Sequence, residues 1–380
     1  MATCDVLIVG GGPAGSSCAW RLREAGVDVI VTDASTFPRD KVCAGWITPQ
    51  VVTALRLDTE VYPRGRTFQP FTGFRVGLID GADATLVAYD HPVSFGIRRC
   101  EFDHYLLERA SARLMLGERI TSIHNDCGEW IVNGAIRARL LVGAGGSGCP
   151  VARMINGAAR DRPLVVAREA ESHLGAAELE AISTEAPVPG LFFCRDLQGY
   201  GWCVRKGAYL NIGLGRLDPR SLPAATERLV SFLEATGRIP RHFPWPWRGH
   251  SYAVSAAPRG RMIDDGVMLI GDAAGVADPQ SGEGIRQAVE SGLLAADTIV
   301  EARGQYARQR LEPYVAGIAA RYGSVSTSGA VARLVPNAVK AVVAGQLLRV
   351  PAFVKRVVID DWFLHSRQAA LARRSLTAPS

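Results

Sequence analysis

Three glycines, Gly10, Gly12 and Gly15, with Asp33 eighteen residues further on, are the first residues whose types and spacing carry chemistry. In a Gly-x-Gly-x-x-Gly turn the first glycine permits a tight bend, the second lets the backbone approach a pyrophosphate, and the third lets a helix pack close to a strand. Pro13 and Ala14 open the helix that follows, whose N-terminus offers free N–H groups and the positive end of its dipole to phosphate. Asp33, followed by Ala34, ends the next apolar run and is placed to hold ribose hydroxyls. The triplet alone is weak evidence in a chain of 40 glycines. Its place between a β-branched run at residues 4–9 and a helical stretch at 13–25, with a second apolar run at 27–32, makes a dinucleotide site the expectation.

A second constellation lies far along the chain. Residues 266–275 read Gly-Val-Met-Leu-Ile-Gly-Asp-Ala-Ala-Gly, which puts Gly271 and Asp272 directly after a buried-strand run. Asp278, Pro279, Gln280, Ser281, Gly282, Glu283, Gly284 and Ile285 then lead into a helix. Together these segments resemble the second FAD fingerprint of the flavin hydroxylase and geranylgeranyl reductase superfamily. In that resemblance Asp272 accepts hydrogen bonds from ribityl hydroxyls, and the helix starting near Gly284 and Ile285 turns its positive end towards the flavin N1 and C2 carbonyl. Gly282 and Gly284 would let the chain pass the ring without an intervening side chain.

Further segments keep the same order. Residues 37–45, Phe-Pro-Arg-Asp-Lys-Val-Cys-Ala-Gly, resemble the segment after the second strand of geranylgeranyl reductases, and imply that Arg39, Cys43, Ala44 and Gly45 lie against the cofactor. Arg99, followed by Phe102 and Asp103, resembles the arginine that approaches FAD from a helix start. Tyr200-Gly201-Trp202 with Asn211-Ile212-Gly213 matches much of the aromatic motif of the substrate lobe, and residues 353–364 resemble the tail of shorter bacterial members. The chain is thereby similar to the geranylgeranyl reductase-like family of FAD-dependent oxidoreductases. The resemblance implies FAD as cofactor, NAD(P)H as a possible electron donor, and hydride addition to an isoprenoid alkene.

Three positions depart from the family pattern. Gly145 stands where flavin hydroxylases carry an aspartate that helps to bind FAD and the pyridine nucleotide, Cys203-Val204 replaces Phe-Pro, and Ala44 replaces a glycine. Cys43, Tyr200, Trp202 and Pro279 are the candidates for the reacting face, with Tyr200 a possible proton donor. Cys43 reads either as a residue beside the isoalloxazine or as a small core residue. Tyr200 and Trp202, two apart on one strand face, read either as pocket wall or as an aromatic core pair. An FAD-dependent monooxygenase would share the same contacts, and a non-catalytic prenyl-chain carrier the same architecture. A halogenase is disfavoured, because Trp245-Pro246-Trp247 lacks the expected continuation.

The elements that must position these residues follow from the pattern of the chain. With 380 residues, 48% hydrophobic and 21% charged, it is long enough for a large core and not disordered. An α/β fold of two lobes is expected: a Rossmann-type FAD-binding domain from residues 1–60, 97–158 and 256–300, an antiparallel-sheet substrate lobe from 61–96 and 159–255, and a helical segment at 301–380. A helix is expected over residues 102–115, strands over 119–124, 130–133, 137–143, 190–194, 200–205, 209–214 and 267–270, and helix breaks at Pro313, Pro336 and Pro351.

Eight scattered cysteines form no CxxC pair and no ligand cluster, so neither a metal site nor a disulfide framework is expected. No signal peptide or apolar run of about 20 residues is present, which predicts a cytoplasmic protein. Residues 301–380 hold 12 Lys and Arg against 4 Asp and Glu, a balance of +8 against −2 for the rest, so the basic character of the chain belongs to this segment. The mixed apolar and basic stretch at residues 331–355 reads either as an interfacial helix on an anionic membrane, suited to a lipophilic substrate, or as a helix packed on the cofactor domain. Nucleic-acid binding has no supporting motif.

Overall fold

The computed structural model describes residues 1–157, 164–253, 260–278, 281–323 and 337–372. The first strand, Ala2–Val9, is the axis of an eight-stranded sheet. Val6, Leu7 and Ile8 are fully buried, the unbroken apolar run that a parallel strand covered on both faces requires. It pairs in parallel with Ile136–Gly143 on one side and Val29–Asp33 on the other. Val29–Asp33 continues to Arg113–Leu116, and Ile136–Gly143 to Val267–Leu269, again in parallel. Antiparallel strands Glu129–Val132, Ile123–Asp126 and Ile263–Asp264 complete the sheet. The carboxyl ends of the central strands, at Val9, Asp33, Gly143 and Leu269, come from four separate stretches of sequence and open on one edge, where α/β sheets bind ligands.

Helix Pro13–Glu24 lies against helix Ile285–Glu301, the longest in the described residues. The second sheet has seven strands, in the order Arg248–Ala253, Leu164–His173, Tyr209–Arg216, Gly199–Lys206, Gly190–Phe193, Gly73–Leu78 and Ala84–Ala88. It is antiparallel except where Gly190–Phe193 meets Gly73–Leu78 in parallel. Helix Leu222–Ala235 covers one face through Leu229, Phe232 and Leu233, which pack with Phe192, Leu210 and Ile212. The other face holds Phe74, Val76, Trp202 and Val204, and is covered by Val354, Val358, Ile359 and Phe363 of the π-helical turn Val354–Phe363. A three-stranded sheet of Trp46–Ile47, Ser94–Gly96 and Gln69–Phe71 sits between the two.

Three expectations need correction. The helix expected over 102–115 is Arg99–Arg109. Ser111 adopts φ +51°, and Leu114 and Met115 enter the edge strand Arg113–Leu116. Apolar residues at 106, 107, 110 and 114 satisfy a helical period, but the open edge of Val29–Asp33 supplies backbone partners that a longer helix would leave unmet. The strand expected at 119–124 is displaced to Ile123–Asp126. Pro313 does not divide a helix. It lies inside Arg308–Tyr322, in an early turn where its missing N–H removes one bond, while buried Leu311, Tyr314 and Ile318 hold the helix down. Pro336 and the first part of the mixed apolar and basic stretch, residues 331–336, lie outside the described residues.

Candidate active site

The glycine turn folds as its spacing requires. Gly10 has φ +120°, and a Cβ there would stand 2.4 Å from the Ala144 carbonyl oxygen, at the end of the neighbouring strand. A Cβ on Gly15 would stand 1.9 Å from the Gly10 carbonyl oxygen, so the helix can start only over a bare backbone. Gly12 is the N-cap of Pro13–Glu24 and has no side-chain cap, which leaves the first-turn N–H groups for a ligand. The carboxylate of Asp33 accepts hydrogen bonds from the Gly11 N–H (2.8 Å) and the Ser35 N–H (2.8 Å), tying the turn to the end of the second strand.

This turn opens into a cavity of about 800 Å³. Every site residue expected from the sequence lines it except Gly15, which is packed beneath the turn, and Pro279, which lies outside the described residues. Gly271 has φ +60°, its N–H donates to Ser291 Oγ (2.9 Å), and Gly282 has φ +70°. Gly284 caps Ile285–Glu301, and a Cβ there would lie 3.6 Å from Asp272 Oδ1. Burial raises the Asp272 carboxyl pKa, and Lys41 and Arg99 oppose that rise.

Cations line the same wall. Arg99 forms a two-pronged ion pair with the buried Asp103, through Nε and Nη2 at 2.8 Å each. Arg39 stands over the Phe37 ring at 4.7 Å, with its Nη2 3.3 Å from where a Cβ of Gly12 would lie. Its Nη1 is buried and stands 3.2 Å from Asp103 Oδ2, so Arg39 shares the Asp103 carboxylate with Arg99. Lys41 Nζ donates to His250 Nε2 at 2.8 Å. Burial, and secondarily Arg99, pushes the Lys41 pKa down to about 8, and burial followed by Lys41 pushes His250 down to about 4, so the pair is an ammonium against a neutral imidazole at pH 7.

The far end of the cavity is aromatic. Tyr200 stands 6.2 Å from Trp202, 6.0 Å from Phe193 and 5.1 Å from Phe363 between ring centroids, and Trp46 lies 6.3 Å from Phe363. The Tyr200 hydroxyl donates to the Ser281 carbonyl of the Gly282–Gly284 loop, bracing the second sheet against it. Both readings of Tyr200 and Trp202 therefore apply, since they border the cavity and also pack in an apolar core. Cys43 lines the cavity, with its backbone N–H held by Glu169 Oε2 (2.6 Å).

Several of these residues were not singled out by sequence. Lys41, Asn211 and Phe363 stood inside recognised segments without an assigned role. Glu169 and His250 carried no local signal, because strand pairing alone brings His250 to the cavity and Glu169 behind Cys43.

Comparison with known proteins follows the same line. The family model described as FAD dependent oxidoreductase matches residues 5–74. Digeranylgeranylglycerophospholipid reductase 1 of Methanothermobacter thermautotrophicus is 26% identical over 327 residues, covering 82% of this chain and 81% of that protein. Menaquinone reductase of Mycobacterium tuberculosis is 32% identical over 332 residues, covering 78% and 76%. The chain belongs to the geranylgeranyl reductase-like family of FAD-dependent oxidoreductases. Its fold is shared by the geranylgeranyl bacteriochlorophyll reductase-like protein of Thermoplasma acidophilum, with a TM-score of 0.77 at 18% identity over 97% of this chain and 98% of the other.

The residues present fit the cofactor that this family of FAD-dependent oxidoreductases uses. The cradle at Gly10, Gly12 and Gly15 is one that side chains would fill, the helix end behind it is uncapped, and the Arg39 guanidinium stands beside it, 3.3 Å from where a Cβ of Gly12 would lie. Gly145 contributes only backbone to the cavity. Among the described residues no helix is long and apolar enough to cross a membrane.

Proposed function

We propose that this oxidoreductase is a reductase whose substrate is an alkene in a polyprenyl chain, with NAD(P)H or a protein as electron donor. The observation that carries this reading is the polarity of the cavity, which runs from the glycine cradle and its cations to the ring cluster of Trp46, Phe193, Tyr200, Trp202 and Phe363. Menaquinone and digeranylgeranylglycerophospholipid, named as substrates of the two reductases above, both carry isoprenoid chains, and the aromatic end suits such a chain.

When bound and reduced by that donor, FAD would supply the hydride for the alkene, and a proton would complete the addition. The first-turn amides of Pro13–Glu24 and Arg39 would hold its pyrophosphate, Asp33 and Ala34 the adenosine ribose, and Asp272 the ribityl hydroxyls. Gly282, Gly284 and Ile285 at the N-terminus of Ile285–Glu301 would stabilise negative charge on the flavin pyrimidine edge. The apolar rings would exclude water and orient the chain. Tyr200 directs its proton at the Ser281 carbonyl, so to serve as proton donor it would first release that brace. The test is product formation without oxygen: a reductase yields the saturated chain, whereas a monooxygenase yields nothing.

A membrane surface is the partner this reading implies. Val342, Val343, Leu347 and Val350 are exposed around helix Asn337–Leu347, beside exposed Arg349 and Arg356. Apolar side chains flanked by cations suit an anionic bilayer. The same C-terminal stretch continues to Phe363 in the aromatic wall, which links the surface to the cavity.

A further inference from the structure

The two walls of the cavity are joined by a chain of buried polar groups. Glu169, on strand Leu164–His173, accepts the Cys43 N–H at Oε2 (2.6 Å) and the Asn211 Nδ2–H at Oε1 (2.7 Å). Asn211 Nδ2 also faces the Cys43 carbonyl (3.2 Å), and its Oδ1 accepts the Trp202 Nε1–H (2.7 Å). Cys43 and Trp202 border the cavity, while Glu169, Asn211 and Trp202 are each at most 8% exposed. A second tie runs beside the first: Lys206 Nζ donates to the Ala44 carbonyl (3.2 Å) and pairs with Glu171 (2.6 Å), which Arg98 also holds (3.0 Å). Gly45 completes the fit, since a Cβ on its φ +71° backbone would stand 2.7 Å from Lys206 Nζ.

We infer that Glu169 and Asn211 are positioning residues that set the gap between Cys43 and Trp202 through which the polyprenyl alkene reaches the flavin. The inference rests on the proposed reading of the cavity. A carboxylate is the group that can do this, because its two oxygens each meet an N–H donor, whereas an acid or amide presents a hydrogen to one of them. The groups facing Glu169 are Lys206, Glu171 and Asn211 from the sheet and Cys43 from the loop, with Arg98 reaching Glu171 and with Arg248, its register partner, tied to Asp40. Burial raises the Glu169 pKa to about 7, against the pull of the Cys43 N–H and Lys206. The link thus strengthens as pH rises through about 7 and weakens as pH falls through it.

The test measures equilibrium binding of radiolabelled geranylgeraniol to the FAD-loaded protein between pH 6 and 9, with FAD affinity measured alongside. The native protein is expected to bind more tightly above pH 7 than below it. Glu169→Gln should bind about tenfold more weakly at pH 8, the loss of one buried charged hydrogen bond, with no step near pH 7. Trp202→Phe, which removes the Nε1–H, should weaken binding too, and adding it to Glu169→Gln should cost less than the sum of the two. FAD affinity should stay within about twofold throughout. Native-like binding and pH dependence in Glu169→Gln, or additive effects in the double variant, would overturn the inference. A native protein that does not bind geranylgeraniol would overturn the functional reading itself. Should Glu169→Gln not fold, Trp202→Phe with unchanged affinity is the contradicting result.

Discussion

Gly292 and Ala14 meet backbone to backbone: a Cβ on Gly292 would stand 2.3 Å from the Ala14 carbonyl oxygen. This contact seats Ile285–Glu301 directly against Pro13–Glu24, so the two helix starts that border the cavity are held together at one glycine. Gly292→Ala must push the helices apart, at a cost of about 1–3 kcal/mol for overpacking. A lower Tm and weaker FAD binding are expected together. Gly317→Ala is the control, because its Cβ meets nothing closer than 3.6 Å and should be neutral or stabilising by up to about 1 kcal/mol.

Asp33 satisfies two backbone N–H groups of the turn and strand end. Asp33→Ala leaves both without an acceptor, on the order of 1–3 kcal/mol each, and should weaken FAD binding at least about tenfold in a titration of the apoprotein. Asp33→Asn keeps one acceptor oxygen and should fall between. Equal loss in both variants would show that the charge, not the hydrogen bonds, matters.

Glu283 gives a pH dependence whose sign is fixed. Burial pushes its carboxyl up to about 8, opposed by Arg286 and reinforced by Asp278 and Glu290. Between about 4.5 and 8 the folded chain holds a proton that the unfolded chain has released, so this group's contribution to stability falls as pH rises through that window. Glu283→Gln cannot ionise. Its Tm should exceed that of the native protein at pH 8.5, with the difference shrinking towards pH 5. A difference constant over that range would contradict the assignment.

Val342→Glu with Val343→Glu tests the membrane surface. The native protein should co-sediment with phosphatidylglycerol vesicles and much less with phosphatidylcholine, and the double variant should stay in the supernatant with its FAD content unchanged. Native protein that ignores both vesicles would rule this surface out.

The cofactor end of the site was legible because phosphate binding needs glycines at fixed spacing within one strand, turn and helix. Asp272 was legible for the same reason, as a single acid after a buried strand. The other wall was not. His250 reaches the cavity, and Glu169 and Asn211 reach the backs of Cys43 and Trp202, through pairing of strands distant in sequence, which leaves no local period to read. Leu114 was misassigned because four apolar residues fit a helical stripe, while its strand partner, Val31, lies 83 residues earlier in Val29–Asp33. Gly292 carries no signal of its own in the sequence, because the Ala14 carbonyl that requires it belongs to a helix some way off along the chain.

The central claim is reduction of a polyprenyl alkene, and anaerobic single turnover tests it most directly. FAD-loaded protein, reduced chemically and freed of oxygen, is mixed with a geranylgeranyl-bearing lipid, and the products are weighed by mass spectrometry. A product carrying two extra hydrogens, formed as the flavin absorbance returns, is the predicted result. A lipid that stays unchanged until oxygen is admitted, and then gains an oxygen atom, would contradict it.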